Sequence, residues 1–190
     1  MQPMDTPTVV RKRFTTEEFV QLGAAGFLGQ DERFELLEGV IVEMSPLGPR
    51  HSSCLVGLTE FFYSLRHPGI TIRVQDVVRL GDFSAPQPDL AIVSRRDDRY
   101  ANGHPEPEDV LLLIEVSDSS LAYDRDVKLP LYARAGIAEV WLVAVQPQVI
   151  EVYRAPGEGG YGEKRTYRRG QSLAPAFSSE TPLAVEQVLG

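Results

Sequence analysis

The sequence contains one cysteine, Cys54, among 190 residues, so an intramolecular disulfide framework is impossible. No apolar run approaches the roughly 18 residues that a membrane-spanning helix needs. The first residues, MQPMDTPTVVRKRF, lack the apolar core of a signal peptide. We therefore expect a cytoplasmic protein with no membrane partner.

Positive charge is also scarce. The chain has 19 Lys and Arg residues against 27 Asp and Glu residues, which gives a formal net charge of −8. This balance disfavours broad, non-specific attraction to nucleic acid or to an acidic membrane surface. A role on nucleic acid would need a local basic patch or bound metal ions.

The composition is otherwise that of a globular protein, with 43% hydrophobic and 24% charged residues. The length suits one domain over residues 1–190, with residues 1–13 as a flexible or extended N-terminal segment. Thr15 and Glu18 form a possible capping box that opens a short helix towards Gly23. Two strands should then fold back around Glu38 and Gly39.

The remaining elements follow from hydrophobic periodicity. Helices are predicted over 51–66, over 121–136 and at 181–189, and Pro130 must kink the second or lie in its first turn. Strands are predicted over 70–80, 86–94, 110–116, 139–145 and 148–154, and residues 95–109 read as a long surface connection. This order predicts an α/β fold with a mixed β-sheet flanked by helices.

Two carboxylates lie at strand ends. Asp89 begins one strand and Glu115 nearly ends another, so antiparallel pairing of these strands would bring both to one rim of the sheet. Two adjacent carboxylates repel unless a cation lies between them, and Mg²⁺ is a suitable oxygen-ligated cation. Alternatively, Asp89 is a turn residue and an arginine from the helix pairs with Glu115.

Asp124, Lys128 and Tyr132 are spaced four apart and would share one helix face. One interpretation is an exposed ion pair between Asp124 and Lys128. The other is that this face covers the end of the Glu115 strand and brings the ammonium group to a metal.

These motifs, in this order, resemble the Uma-type family of endonucleases, a branch of the PD-(D/E)XK nuclease superfamily. The resemblance spans residues 14–155 and includes PD at 88–89, EVS at 115–117 and AGIAEVWLV at 135–143. It implies a restriction endonuclease-like fold and Mg²⁺-dependent (or Mn²⁺-dependent) hydrolysis of phosphodiester bonds. Val40 departs from the acidic residue expected after the hairpin glycine.

The resemblance also implies site residues. Asp89 is the PD acid, Glu115 the second acid, and Glu35 the N-terminal acid that often completes the site. Ser117 occupies the position where the superfamily normally has lysine, and Lys128 on the following helix is its replacement. The three acids would hold the metal together with the Val116 carbonyl. Lys128 would position the attacking water or stabilise the pentavalent transition state. Asp124, Tyr132 and Ser117 would support them.

Other signals are weaker. His51 could contact phosphate or assist proton transfer, or it could be a capping or exposed residue. His51 and Cys54 make no credible zinc site. GEGGYG at 157–162 lacks the context of a dinucleotide-binding loop and fits a hairpin turn. Trp141 is expected in the core. A basic segment could track a phosphate backbone or be a solvated edge strand; its residues are Lys164, Arg165, Arg168 and Arg169.

The leading hypothesis is therefore a metal-dependent endonuclease acting on DNA, as a homodimer if two strands are cut. A non-catalytic module that binds nucleic acid or protein is a second hypothesis, motivated by the acidic balance and by Ser117. Hydrolysis of another phosphate ester at the same site is a third.

Overall fold

The computed structural model describes residues 11–29 and 33–190, and its centre is a mixed sheet of six strands that lie side by side in chain order. The strands are β3 (Ile70–Val74), β4 (Leu90–Ser94), β5 (Val110–Ser117), β6 (Glu139–Ala144), β7 (Val149–Gly157) and β8 (Gly160–Arg168). Within this sheet only β5 and β6 pair in parallel, and the other neighbours are antiparallel. The predicted mixed sheet is confirmed.

A helical crossover joins the parallel strands β5 and β6. It consists of α3 (Leu121–Tyr123), a π-turn (Asp124–Lys128) and α4 (Leu129–Arg134). The Leu129 N–H donates to the carbonyl of Asp124, five residues earlier. Pro130 follows this widened turn in the first turn of α4, where a missing N–H is tolerated. Of the two alternatives predicted for Pro130, a kink or a place in the first turn of a helix, the second is observed.

The N-terminal elements form as the sequence predicts. Thr15 caps α1 (Thr16–Ala24) with the reciprocal Glu18 contact of a capping box. The hairpin of β1 (Phe34–Leu37) and β2 (Val40–Glu43) turns at Glu38 and Gly39, which have φ angles of 51° and 83°. Two positive φ angles are typical of a type I′ turn. The proposed N-terminal segment, residues 1–13, lies mostly outside the described residues.

Helices cover both faces of the central sheet. Helix α2 (Pro49–Ser64) buries Leu55, Leu58 and Phe62 on one face, in the same cluster as Trp141. Leu129 and Tyr132 belong to the cluster on the opposite face. Trp141 is fully buried, as expected. Strand β5 is therefore covered on both sides, which explains its continuous apolar sequence.

Some boundaries differ from the prediction. The strand predicted over 70–80 ends at Val74, because Gln75 takes a left-handed conformation with φ 50°. The GEGGYG segment forms the β7–β8 turn, as expected. The predicted C-terminal helix is only α5 (Glu186–Leu189), after the short pair β9 (Ser172–Leu173) and β10 (Leu183–Ala184). Within the described ranges, no helix has the length and apolar character to cross a bilayer.

Candidate active site

Asp89 and Glu115 meet at one rim of the sheet. Strands β4 and β5 are antiparallel, with Leu90 opposite Ile114, so the residue before β4 lies beside the end of β5. The Val116 N–H donates to Oδ2 of Asp89 at 2.9 Å. The predicted antiparallel pairing, and the meeting of the two acids that depends on it, are therefore observed.

Several donors surround the Asp89 carboxylate. Nε2 of His51 lies 2.9 Å from Oδ2, and the Gln75 side-chain amide donates to Oδ1 at 3.3 Å. Burial alone would raise the pKa of Asp89, but His51, the Val116 N–H and Gln75 together lower it. Asp89 is therefore a buried carboxylate held in its ionised form.

His51 is buried, with 7% of its surface exposed, in the first turn of α2. The interpretation of His51 as an exposed or capping residue is wrong, because the ring turns inward to Asp89. Its Nδ1 has no hydrogen-bond partner among the described residues. No sequence pattern pointed to Gln75, whose contact with Asp89 depends on the left-handed turn that ends β3.

Lys128 links two carboxylates from separate strands. Its Nζ lies 2.9 Å from Oε2 of Glu35 and 3.1 Å from Oε1 of Glu115. The Tyr132 hydroxyl donates to the same Oε1 at 2.5 Å. Lys128 and Tyr132 are buried, so the interpretation of Lys128 as half of an exposed ion pair is wrong. The partners of Glu115 are a lysine and a tyrosine from the crossover, and the alternative of an arginine partner is also wrong.

Asp124 has a different partner from the one that its spacing suggested. Its Oδ2 accepts hydrogen bonds from the hydroxyls of Ser117 and Ser120, both at 2.6 Å. Ser117 thus ties the end of β5 to the π-turn that carries Lys128. The Ser117 hydroxyl is therefore engaged in a structural contact.

Glu35 reaches the site from the β1–β2 hairpin. Leu36 exchanges two backbone hydrogen bonds with Ala85 and is fully buried beside it. Alternation along β1 then directs the neighbouring side chain of Glu35 away from that small core. The Gln87 N–H donates to Oε2 of Glu35 at 3.4 Å.

The electrostatic balance at the site is negative. Burial raises the pKa of Glu115 to about 8; Lys128 opposes this rise, while Asp89, Asp124 and Glu35 add to it. Burial alone would lower the pKa of Lys128, but Glu115 and Glu35 outweigh it and raise this pKa. One ammonium group is therefore shared among several carboxylates.

A cavity of about 490 Å³ opens beside these groups, and Glu35, His51, Val116, Asp124 and Lys128 contribute to its lining. Carboxylate and carbonyl oxygens are the ligands that Mg²⁺ and Mn²⁺ prefer, and an excess of negative charge favours a cation. The chemistry of these donors, as distinct from their spacing in this structure, therefore suits a hard divalent ion. The described residues contain no group of three His, Cys, Asp or Glu side chains arranged as ready metal ligands.

The basic segment does not converge on this cavity. Strand β8 forms the edge of the sheet, three strands from β5, or about 14 Å at the usual strand spacing. Lys164 lies opposite Tyr153 and Arg165 opposite Val152, so their side chains face opposite sides of the sheet. Lys164 pairs with Glu151 at 2.9 Å. Arg168 and Arg169 lie at the end of this strand and beyond it, and a nucleic-acid role for the segment stays a prediction.

Comparison with known proteins identifies the family. A family model described as "Uma2: Putative restriction endonuclease" matches residues 16–186. A crystal structure described as a putative nuclease belonging to DUF820 from Anabaena variabilis is similar in fold, with a TM-score of 0.73 and 20% sequence identity. The match covers 93% of this chain and 97% of that chain. No curated protein gives a significant sequence match.

At 20% identity the structural likeness establishes the fold, which is restriction endonuclease-like as the sequence predicts. The family model spans most of the chain and supports a nuclease function in general terms. This chain belongs to the Uma2 family of putative restriction endonucleases.

Proposed function

We propose that this protein is a divalent-metal-dependent endonuclease that hydrolyses phosphodiester bonds of DNA. The observation that carries the proposal is the position of Lys128, whose ammonium group lies between Glu35 and Glu115 at the rim that Asp89 shares. These four residues come from four separate segments of the chain. Glu35 and Lys128 line one open cavity with an excess of negative charge. Asp89 and Glu115 lie behind its wall, in contact with the lining residues Val116, His51 and Lys128.

The proposed ligands of Mg²⁺ or Mn²⁺ are Glu35, Asp89 and Glu115, with the Val116 carbonyl. A bound ion would supply Lewis acidity, lower the pKa of a coordinated water and offset charge on the phosphate. His51 and Gln75 are positioning residues, because their hydrogen bonds hold the Asp89 carboxylate in one orientation.

Lys128 is the proposed catalytic cation. Its compact ammonium group can hold the attacking water or stabilise charge that develops on the phosphate. Tyr132 fixes Glu115 from the same helix, and Ser117 and Asp124 fix the turn before Lys128. His51 lines the cavity with an unbonded Nδ1, which could accept or donate a hydrogen bond to substrate.

A nicking assay on supercoiled plasmid and on single-stranded DNA tests the proposal in the presence of Mg²⁺ or Mn²⁺. Asp89→Ala should abolish cleavage. Asp126→Ala, an exposed residue on the same π-turn as Lys128, should leave it intact. Equal trace activity in the wild-type protein and Asp89→Ala would refute the catalytic proposal.

A second candidate is a binding module that retains the fold without catalysis. The observation in its favour is that Lys128 already neutralises part of the site, while the described residues hold no ready group of three metal ligands. Titration calorimetry with Mn²⁺, with and without an oligonucleotide, separates the two. Absence of metal binding in both titrations would favour the module.

The proposed assembly is a homodimer in the cytoplasm, since cleavage of two strands commonly uses two sites. Light scattering during size-exclusion chromatography would detect it. A monomer at all concentrations, together with nicking of only one strand, would contradict the dimer and leave the catalytic proposal intact.

A further inference from the structure

Positive charge is concentrated on a surface far from the carboxylates. Arg66 follows α2, and three more arginines lie in the connection after β4. All four are exposed and line one groove together with Tyr63. We call this set the arginine cluster: Arg66, Arg95, Arg96 and Arg99.

The arginine cluster is only partly neutralised. Arg96 pairs with Asp98 at 3.2 Å and lies over the Tyr100 ring at 4.7 Å. The other three have no ion pair within residues 11–29 and 33–190. Over those same ranges, no carboxylate lines this groove. In a chain of net charge −8, this is a local excess of positive charge.

Three neighbouring depressions, which share lining residues, lie in a row between the cluster and the candidate active site. One face of α2 carries Ser52, Val56, Thr59 and Tyr63, at spacings of four, three and four, along a middle groove. Leu47 lines both this groove and the cavity beside Glu35. Tyr63 and Arg66 line both this groove and the groove of the arginine cluster.

The length of this path matches a short stretch of DNA. From Ser52 to Tyr63 helix α2 rises about 17 Å, at about 1.5 Å per residue. One strand of duplex DNA advances about 3.4 Å per nucleotide, so the path spans about five nucleotides. At its near end α2 carries His51, which contacts Asp89.

We propose that the arginine cluster and Tyr63 form a docking site for the DNA backbone, about five nucleotides from the phosphate in the candidate active site. The guanidinium groups would bind phosphates, and the ring of Tyr63, which is 61% exposed, would stack on a sugar or base. The choice of DNA rests on the proposed function. Contacts of this kind fix orientation and affinity without selecting a sequence.

The side chains along these grooves favour a DNA strand over an acidic protein segment as the ligand. The middle groove mixes apolar side chains with neutral polar ones and contains one acid, Glu60, which suits a stacked strand that passes between two charged ends. An acidic peptide would need basic partners along its whole length. The clustered arginines lie at one end only, opposite the site where a phosphate would be cleaved.

Fluorescence anisotropy with a short labelled DNA duplex tests the proposal in EDTA, where no cleavage occurs. The triple variant Arg66→Gln, Arg95→Gln, Arg99→Gln should bind on the order of tenfold more weakly at low salt. The slope of log affinity against log salt should fall by about two to three, because three phosphate contacts are lost. Circular dichroism checks that the variant is folded, and the single variants Arg66→Gln and Arg95→Gln serve if it is not.

The matched control removes three cations that already pair with carboxylates elsewhere. The control variant is Lys12→Gln, Arg79→Gln, Arg134→Gln. It makes the same charge change and should bind DNA about as well as the wild-type protein. Equal weakening by both triples would show a general charge effect and overturn the docking site.

Two further outcomes would overturn it. One is that Arg165→Gln, Arg168→Gln, Arg169→Gln weakens binding while the cluster variant does not. The other is that the wild-type protein binds polyglutamate but not DNA. Because binding is measured without metal, loss of nicking activity alone would refute the proposed function and leave the docking site standing.

Discussion

Glu115 and Glu151 lie on the same face of the central sheet, two strands apart, in one row through Leu142. Both are buried. Arg125 binds Glu151 through two hydrogen bonds, of 2.7 and 3.0 Å, and Tyr153 and Lys164 add further contacts.

The two environments move the pKa in opposite directions. For Glu151, burial alone would raise the pKa, but Arg125, Tyr153 and Lys164 lower it. For Glu115, burial and neighbouring acids raise the pKa to about 8 in spite of Lys128. Glu151 has two cations to itself, whereas Glu115 shares one. The neighbours of Glu151 outweigh the effect of burial on its pKa and those of Glu115 do not, and a buried acid with a strongly raised pKa is typical of a functional site.

The largest expected effect concerns activity. Glu115→Gln should reduce nicking by a factor on the order of 10³ or more, because a ligand of the proposed metal is lost. Glu151→Gln should leave nicking within a few-fold of the wild-type rate at a temperature where the variant is folded. Plasmid nicking rates measure both. Similar losses in the two variants would remove the distinction between a functional and a structural acid.

The next effect concerns stability. Lys128→Met leaves Glu35 and Glu115 without their cation and should destabilise the metal-free protein by about 3–5 kcal/mol. Lys164→Met should cost at most about 1 kcal/mol, since its side chain is half exposed and Arg125 remains on Glu151. Urea denaturation measures the free energies of unfolding. Adding Glu115→Gln to Lys128→Met should recover part of the loss.

The third prediction concerns pH. In the metal-free protein the pKa of Glu115 is about 8, against an ordinary value of 4.5, so the folded state holds a proton that the unfolded chain releases. The stability contributed by Glu115 is present below about pH 4.5 and is lost as pH rises towards 8. The free energy of unfolding of Glu115→Gln should therefore fall less steeply over that range.

The stability contributed by Glu151 should depend on pH in the opposite direction. Because the pKa of Glu151 is lowered from 4.5, its ionised carboxylate stabilises the folded state at pH values above 4.5, and this stabilisation is lost as pH falls. Glu151→Gln should thus be least stable relative to wild type near neutral pH. Urea melts in EDTA at several pH values measure both slopes, and parallel curves for Glu115→Gln and wild type would contradict the raised pKa.

The smallest effect is stabilisation by metal. At a Mg²⁺ or Mn²⁺ concentration about ten times the dissociation constant, the wild-type protein should gain about 1.4 kcal/mol. Its melting temperature would then rise by about 3–6 °C. Glu151→Gln should show the same rise and Asp89→Asn none. A rise in all three proteins would place the metal elsewhere.

Much of the architecture follows from local sequence. The capping box at Thr15, the Glu38–Gly39 turn and the apolar face of α2 each depend on residues close together in the chain, and all three form as predicted. The end of β3 at Val74 was not predictable, because the alternating sequence pattern continues past it.

The candidate site likewise has features that the sequence predicted and features that it did not. The sequence placed Asp89 and Glu115 at strand ends, and antiparallel pairing of β4 with β5 then brings them to one rim. The burial of His51 against Asp89 was not predictable, because it depends on the angle at which α2 crosses the sheet. The path from the cavity to the arginine cluster likewise depends on two loops that are distant in the chain.

The sequence by itself determined the alternation of strands and helices, the acids and lysine available to a site, and the excess of negative charge. Periodicity and composition are local properties, and they need no knowledge of distant neighbours. Only the tertiary structure decided which cation each carboxylate receives. Lys128 serves Glu35 and Glu115 while Arg125, three residues earlier, serves Glu151, because the π-turn directs these side chains to different strands of the sheet.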